Sequence, residues 1–158
     1  MSGGIKLNFS ISKAMLNELP EINNMLTDLI QDERKNYDNN INENYKVEKF
    51  YEKLINNNDR KIFVARNNDI VLGYVYGFIK DTGSLYNNKV AQLDALFVKE
   101  QYRGNGIARG LMKEFINWAR EKKVAYVELS VCKDNTNAIN LYQNEGFSIE
   151  KTYLRKKL

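Results

Sequence analysis

Histidine is absent from this chain, cysteine and proline occur once each, and no apolar run is long enough to cross a membrane. Without histidine, a proton moved by a side chain near neutral pH passes to a carboxylate, to a tyrosine or through water. Cys132, the only cysteine, can form no internal disulfide, which suits a reducing compartment; its simplest role is that of a small buried apolar residue. The net charge of +4 is modest and its basic residues are scattered apart from Arg155-Lys156-Lys157, so nucleic acid is not an expected partner. The opening Met1-Ser2-Gly3-Gly4 lacks the charged and apolar regions of a signal peptide, so the expected location is cytoplasmic, with no membrane partner.

What is present fits one domain spanning residues 1–158, with 43% hydrophobic and 28% charged residues, an ordinary globular balance. Ile5, Leu7, Phe9 and Ile11 alternate with Lys6, Asn8, Ser10 and Ser12, which predicts a strand with one buried face. Leu19, Ile22, Leu26, Leu29 and Ile30 keep helical spacing, with Pro20 near the start, where a missing amide is tolerated. Val47, Phe50, Tyr51, Leu54 and Ile55 predict a second helix, ended by Asn56-Asn57-Asn58. Strands near Lys61–Arg66 and Ile70–Ile79 flank a turn at Asn67-Asn68-Asp69, and an apolar strand follows from Leu93 to Val98. Ile107, Leu111, Phe115 and Trp118 form the apolar stripe of a long helix reaching Lys122. A strand over Val124–Val131, a helix beginning near Asn135, a cap at Gly146 and a last strand from Phe147 complete the order β-α-α-β-β-β-α-β-α-β.

The chemistry concentrates where the Leu93–Val98 strand gives way to the long helix, through Gln101-Tyr102-Arg103-Gly104-Asn105-Gly106-Ile107-Ala108. Two glycines let backbone approach an anion closely, the first helical amides have no internal partner, and the helix dipole favours negative charge there. Arg103 and Arg109 add positive charge beside it. A Walker loop is excluded, because Ile107-Ala108 follows Gly106 where Lys-Ser/Thr is needed. A dinucleotide fold built on Gly104-x-Gly106-x-x-x-Gly110 predicts NADP affinity, but its fingerprint belongs in the first βα turn with further units downstream.

A second segment accompanies the first: Asn135-Thr136-Asn137-Ala138-Ile139-Asn140-Leu141-Tyr142-Gln143-Asn144-Glu145-Gly146-Phe147. In order and spacing the two together resemble the GNAT superfamily of acyl-CoA-dependent N-acyltransferases. The family pattern Gln/Arg-x-x-Gly-x-Gly/Ala fits in two registers, Gln101…Gly104…Gly106 and Arg103…Gly106…Ala108; the second segment is similar to the family's Asn…Ala…Leu-Tyr…Gly-Phe element. The similarity runs from about Leu93 to Phe147. It implies an α/β (α+β) fold with a mixed, mostly antiparallel central sheet, helices on both faces, and strands near Leu96 and Ser130 that splay apart to admit a pantetheine arm.

The resemblance further implies an acetyl-CoA-dependent N-acetyltransferase acting on an amine-bearing acceptor in a ternary complex, without a metal. The alternative is a non-catalytic acyl-CoA-binding module of the same fold. Backbone groups of Leu96, Phe97 and Val98 would bind pantetheine and thioester. The run from Gln101 through Arg103, Gly104, Asn105, Gly106, Ile107 and Ala108 to Arg109 would hold the pyrophosphate, and Asn135 and Ala138 would meet the pantetheine. Asn135 is equally a helix cap. Tyr142 is the implied general acid for the coenzyme A thiol, since a phenol near pKa ~10 and a thiol near ~8.5 are plausibly matched; its alternative is a core tyrosine. Asp94 is the first choice of base, against a purely structural strand aspartate. Members that acetylate protein N-termini often carry a glutamate where Ser130 stands, so that specificity is not expected. Residues 31–46 hold Asp32, Glu33, Asp38, Glu43, Tyr37 and Tyr45, a segment suited either to a cationic amine or to a solvated surface. The chain is compatible with a monomer or a homodimer.

Overall fold

The computed structural model describes residues 7–158. Ile5 and Lys6 of the first alternating run, and Met1-Ser2-Gly3-Gly4, lie outside the described residues. Among the described residues five strands form one sheet: β1 (Ser10–Lys13), β2 (Arg60–Asn67), β3 (Ile70–Ile79), β4 (Val90–Val98) and β5 (Tyr126–Glu128). They lie in chain order, the first three pairings antiparallel and the last parallel. β2 and β3 meet at Asn67↔Ile70 across a two-residue turn, where Asn68 takes the left-handed φ of 51° that asparagine tolerates well.

Helices cover both faces, as the sequence predicts. α2 (Ile107–Glu121) buries Ile107, Leu111, Met112, Phe115, Trp118 and Ala119 against Phe63, Val75, Ala91 and Leu93. Each large apolar side chain buried this way contributes roughly 1.5–3 kcal/mol. α3 (Thr136–Asn144) joins this layer through Leu141 and Tyr142. On the opposite face α1 (Leu19–Asn36), with proline in its first turn, packs Leu19, Ile22 and Met25 onto Val64, Tyr74 and Phe97. Leu7, Phe9 and Ile11 point into the α2 layer, which accounts for the alternation near the start.

Three expected elements differ. The second helix is reduced to a single 3-10 turn, Tyr51–Lys53. Val47 and Tyr51 are buried as the pattern requires, but Phe50 is exposed and Lys49 adopts a φ of 46°, which no α-helix accommodates. Side chains of α1 supply the partners that a helix would have supplied internally. Thr27 Oγ1 accepts from the Val47 amide at 2.9 Å, and Asn23 Oδ1 accepts from the Tyr51 amide at 3.3 Å. Asn23 Nδ2 in turn donates to the Glu52 carboxylate. The strand over Val124–Val131 narrows to β5, because Leu129 to Val131 find no ladder partner. The strand from Phe147 does not form: residues 148–158 are irregular and exposed, including Ile149, Tyr153 and Leu154.

Candidate active site

β4 and β5 pair only through Val90↔Tyr126, Ala91↔Val127 and Gln92↔Glu128. Beyond Gln92 the β5 side of β4 has no strand partner, so Leu93 to Val98 present an open hydrogen-bonding edge. This is the divergence that the resemblance implies. Leu96 on that edge is half-buried, while Phe97 and Val98 are buried; the Val98 carbonyl accepts from Arg103 Nε at 2.9 Å.

The open edge runs into the glycine loop. Gly104 and Gly106 have φ of 78° and 80°, and a Cβ at either would meet nothing within 4 Å. Left-handed backbone and open space together leave the first turn of α2 uncovered, with Gly106 as its N-cap and no side chain capping it. Asn105 lends rigidity, its Nδ2 donating to the carbonyls of Tyr102 at 3.0 Å and Arg103 at 3.2 Å. A cleft of about 310 Å³ opens here, lined by Val98, Tyr102, Arg103, Gly104, Gly106, Ile107, Ala108, Arg109 and Leu141. A polar hollow of about 550 Å³ at the other end of β4 and α2, under residues 80–89, contains none of the expected site residues. The smaller cleft is the one that combines free helix amides with cationic side chains.

The two arginines are anchored beside the cleft. Arg103 also lies 3.6 Å from Asp32 and over the Phe97 ring at 5.7 Å. Arg109 pairs with Glu145 at 2.5 Å, tying the start of α2 to the end of α3. Gln101 sits exposed in the 3-10 turn Glu100–Tyr102. Ile107 is fully buried, and Ala108 is half-buried.

α3 is fixed at both ends by the residues of the second motif. Asn135 caps it, Oδ1 accepting from the Ala138 amide at 3.1 Å, so the capping role is real; Ala138 itself is half-buried. Gly146, at φ 91°, follows the helix in a Schellman motif: its amide donates to the Gln143 carbonyl and the Phe147 amide to the Tyr142 carbonyl, each at 3.0 Å. The Phe147 ring thereby meets Tyr142 edge-on with centroids 5.9 Å apart. Burial pushes the Tyr142 hydroxyl above its ordinary pKa, so it holds its proton at neutral pH.

Asp94 owes its position to a β-bulge. Tyr76 pairs with Ala95 and Gly77 with Leu93, leaving Asp94 as the unpaired extra residue. The bulge breaks strict alternation and directs Asp94 to the face that carries α1. There it is open to solvent on one side and crowded by protein on the other. Burial raises its pKa, and the positive charge of Arg60 opposes the rise. Burial also raises the Tyr51, Tyr74 and Tyr76 hydroxyls, and the Asp94 charge adds to it in all three. Tyr51 donates to Tyr74 Oη at 3.1 Å, and Arg60 Nη1 donates to Tyr76 Oη at 2.7 Å. These neighbours were not singled out in the sequence. The period-two run Tyr74, Tyr76, Phe78 marks an aromatic face, but no spacing connects it to Arg60 or Asp94.

The acidic segment 31–46 is largely neutralised by arginines, one within it and two from elsewhere in the chain. Glu43 pairs with Arg34, Asp38 takes both terminal nitrogens of Arg155, and Asp32 faces Arg103. Glu33 accepts the S–H of Cys132 at 3.0 Å; burial and that carboxylate push the half-buried thiol up to about 11, so it remains protonated. Among the described residues no cluster suited to a metal ion occurs, and no helix is long and apolar enough to cross a membrane.

A model of the acetyltransferase (GNAT) family matches residues 24–147. Spermine/spermidine N(1)-acetyltransferase of Bacillus subtilis (strain 168) is 32% identical over 80 residues, 50% of this chain and 53% of that protein. The matched regions span about half or less of the first curated relatives, 48%, 27% and 53% of their lengths. The tetramutant of the BH1408 protein from Bacillus halodurans has a TM-score of 0.84 at 19% identity, over 94% of this chain and 99% of that one. AAC(6')-Iy in complex with a bisubstrate analog, CoA-S-monomethyl-acetylneamine, has a TM-score of 0.73 at 16% identity, over 96% and 99% of the respective chains. At such identities the structural likeness establishes the fold alone.

Proposed function

Because this chain belongs to the acetyltransferase (GNAT) family, we propose that it transfers an acetyl group from acetyl-CoA to a primary amine by direct attack in a ternary complex. The observation that carries this reading is the open edge of β4 from Leu93 to Val98 leading straight into the glycine-capped cleft of about 310 Å³. An extended pantetheine matches an unpaired strand edge, and a pyrophosphate matches the free amides of the α2 N-terminus. The structural neighbour complexed with a CoA-containing bisubstrate analog supports the same assignment.

Acetyl-CoA supplies a thioester whose acetyl carbon accepts the amine nitrogen and whose sulfur departs as the leaving group. The backbone of Leu96 to Val98 orients the arm, and the loop from Gln101 to Arg109 holds the phosphates. Asn135 Nδ2 faces the pantetheine while Oδ1 caps α3, and Ala138 packs beside it. Tyr142 delivers the proton to sulfur. An alkyl amine with pKa about 10.4 is neutral in fewer than about one molecule per thousand near pH 7, so a base matters; Asp94 takes that proton through water.

A non-catalytic acyl-CoA-binding module is the second reading, favoured by the tight cap-and-staple setting of Tyr142, which a structural tyrosine would share. Thermal melts with acetyl-CoA, free CoA and NADP, followed by thiol-release assays on an amine panel, separate the readings. At about a hundred times its dissociation constant a bound ligand adds roughly 2.7 kcal/mol, or about 5–10 °C at this chain length. Both CoA species are expected to raise Tm and NADP to leave it unchanged; the reverse pattern would overturn the proposal. A CoA shift without thiol release on any amine would favour the module.

A further inference from the structure

Arg60, Tyr76 and Asp94 come from three adjacent strands and meet on the face that carries α1, which stays open at Asp94 and at Phe50, 41% exposed. Arg60 is half-buried, and its setting differs from that of most other arginines here. Arg34, Arg66, Arg103, Arg109 and Arg155 each pair with a carboxylate. Among the described residues Arg60 has no carboxylate within ion-pair distance. Its Nη1 donates to the neutral Tyr76 hydroxyl, and its guanidinium lies 5.2 Å from the centre of the Phe78 ring. Among the described residues the remaining N–H groups of its planar fork have no acceptor, and none of them is fully buried.

A half-buried cation whose fork is free calls for an anion, and a guanidinium matches a carboxylate through two parallel hydrogen bonds. Asp94, the group proposed to take the amine proton, lies near enough to feel the Arg60 charge without contacting it. An acceptor whose amine approaches Asp94 therefore brings its neighbouring substituent toward Arg60. A diamine would bring a second ammonium to a guanidinium; an amino acid would bring its counter-ion. Asp32, Asp38 and Glu43 of the acidic segment, the groups suited to a polycation, already face arginines.

We propose that the acceptor is an amine that also carries a carboxylate, with Asp94 on the amine side and Arg60 as the specificity-determining residue that holds the carboxylate. The inference rests on the proposed acetyl transfer with Asp94 at the acceptor side. Beside Arg60 the rings of Phe50 and Phe78 pack against the buried Tyr76, and the exposed parts of Phe50 and Phe78 offer an apolar surface suited to the acceptor's carbon skeleton.

Matched pairs that differ only by the carboxylate provide the test: phenylalanine against phenethylamine, ornithine against putrescine, lysine against cadaverine. The wild-type protein is expected to show kcat/KM at least about tenfold higher for the carboxylate-bearing member of a pair, the scale of a charge-assisted hydrogen bond. Arg60→Gln is expected to collapse that ratio and Arg60→Lys to restore part of it. Removing the Arg60 charge also moves the acid limb of the Asp94-dependent pH profile to higher pH for both members of a pair, so the ratio within a pair at one pH is the readout that a purely structural arginine would not move. Acetyl-CoA melts on each variant verify that the fold and cofactor site survive. An equal or reversed wild-type preference overturns the inference, as does a ratio untouched by Arg60→Gln. Failure of every amino acid both to turn over and to bind the CoA complex in calorimetry also overturns it. Those outcomes with the CoA shift intact leave the acetyl-CoA reading standing, whereas loss of the CoA shift in the wild-type protein defeats that reading itself.

Discussion

Tyr142 and Asp94 are two ionisable side chains that burial shifts in the same direction, while the proposed mechanism puts them to opposite uses. Tyr142 keeps a proton it can donate, its ring held by Phe147 and its pKa raised by burial alone. Tyr142→Phe keeps the ring, so Tm should change little while kcat falls by about a hundredfold or more, the usual contribution of a positioned acid. Thiol release across pH checks this, and unchanged turnover at every pH would return Tyr142 to the core. Asp94 is held above the ordinary aspartate value of 3.8 by burial, against the pull of Arg60. The sign follows from linkage: a carboxyl with a raised folded pKa adds stability below its unfolded value, and that stability is lost as pH rises through the folded value. Asp94 keeps an exposed side, so solvent screening makes that contribution small. Asp94→Asn should change Tm little and lower kcat/KM; a variant with an unchanged pH–rate profile would remove Asp94 as the base.

At the scale of elements, α3 carries Tyr142 and Leu141 into the α2 layer. Nine residues is a short helix in water, so its ends matter, and both are specified by the motif that the sequence displays. Asn135→Ala removes the bond to the Ala138 amide and should cost about 1 kcal/mol in chemical denaturation. If the same side chain meets pantetheine, the KM for acetyl-CoA should rise as well; a stability loss with unchanged KM would confine Asn135 to capping. The segment around Tyr51 shows the opposite case. Its apolar spacing predicts a helix, yet its backbone groups bond to Asn23 and Thr27 of α1, and one 3-10 turn suffices.

Across the whole molecule, one buried ion pair joins the first strand, the start of α1 and β2. Arg66 donates to both carboxylate oxygens of Glu18, to Ser12 Oγ and to the Lys13 carbonyl, with the Glu18 and Arg66 side chains 8% and 10% exposed. Burial opposes ionisation of Glu18, but Arg66 and the Met15 amide overcome it and hold its pKa below the ordinary 4.5. This contribution is fully present above that value and is lost as pH falls through the lowered folded one. Glu18→Gln leaves Arg66 buried without its counter-charge and should cost about 3–5 kcal/mol at pH 7. Urea titrations at pH 7 and pH 3 should show the gap between wild type and variant narrowing in acid; a constant gap would remove Glu18 from the acid response. The sequence by itself determined the hairpin, α1, α2, the glycine loop and the capped α3, because each rests on local periodicity, backbone freedom or capping chemistry within a few residues. Only the tertiary structure decided that residues 47–55 would not form a helix, that β5 would pair over three residues, and that the stretch after Phe147 would find no ladder. Those outcomes depend on partners distant in the chain. The same holds for the site: Gly104, Gly106, Asn135 and Tyr142 were legible in two short motifs, whereas the bulge that turns Asp94 toward Arg60 and Tyr76 exists only in the register between β3 and β4. Pairing register is a long-range property that no local pattern encodes.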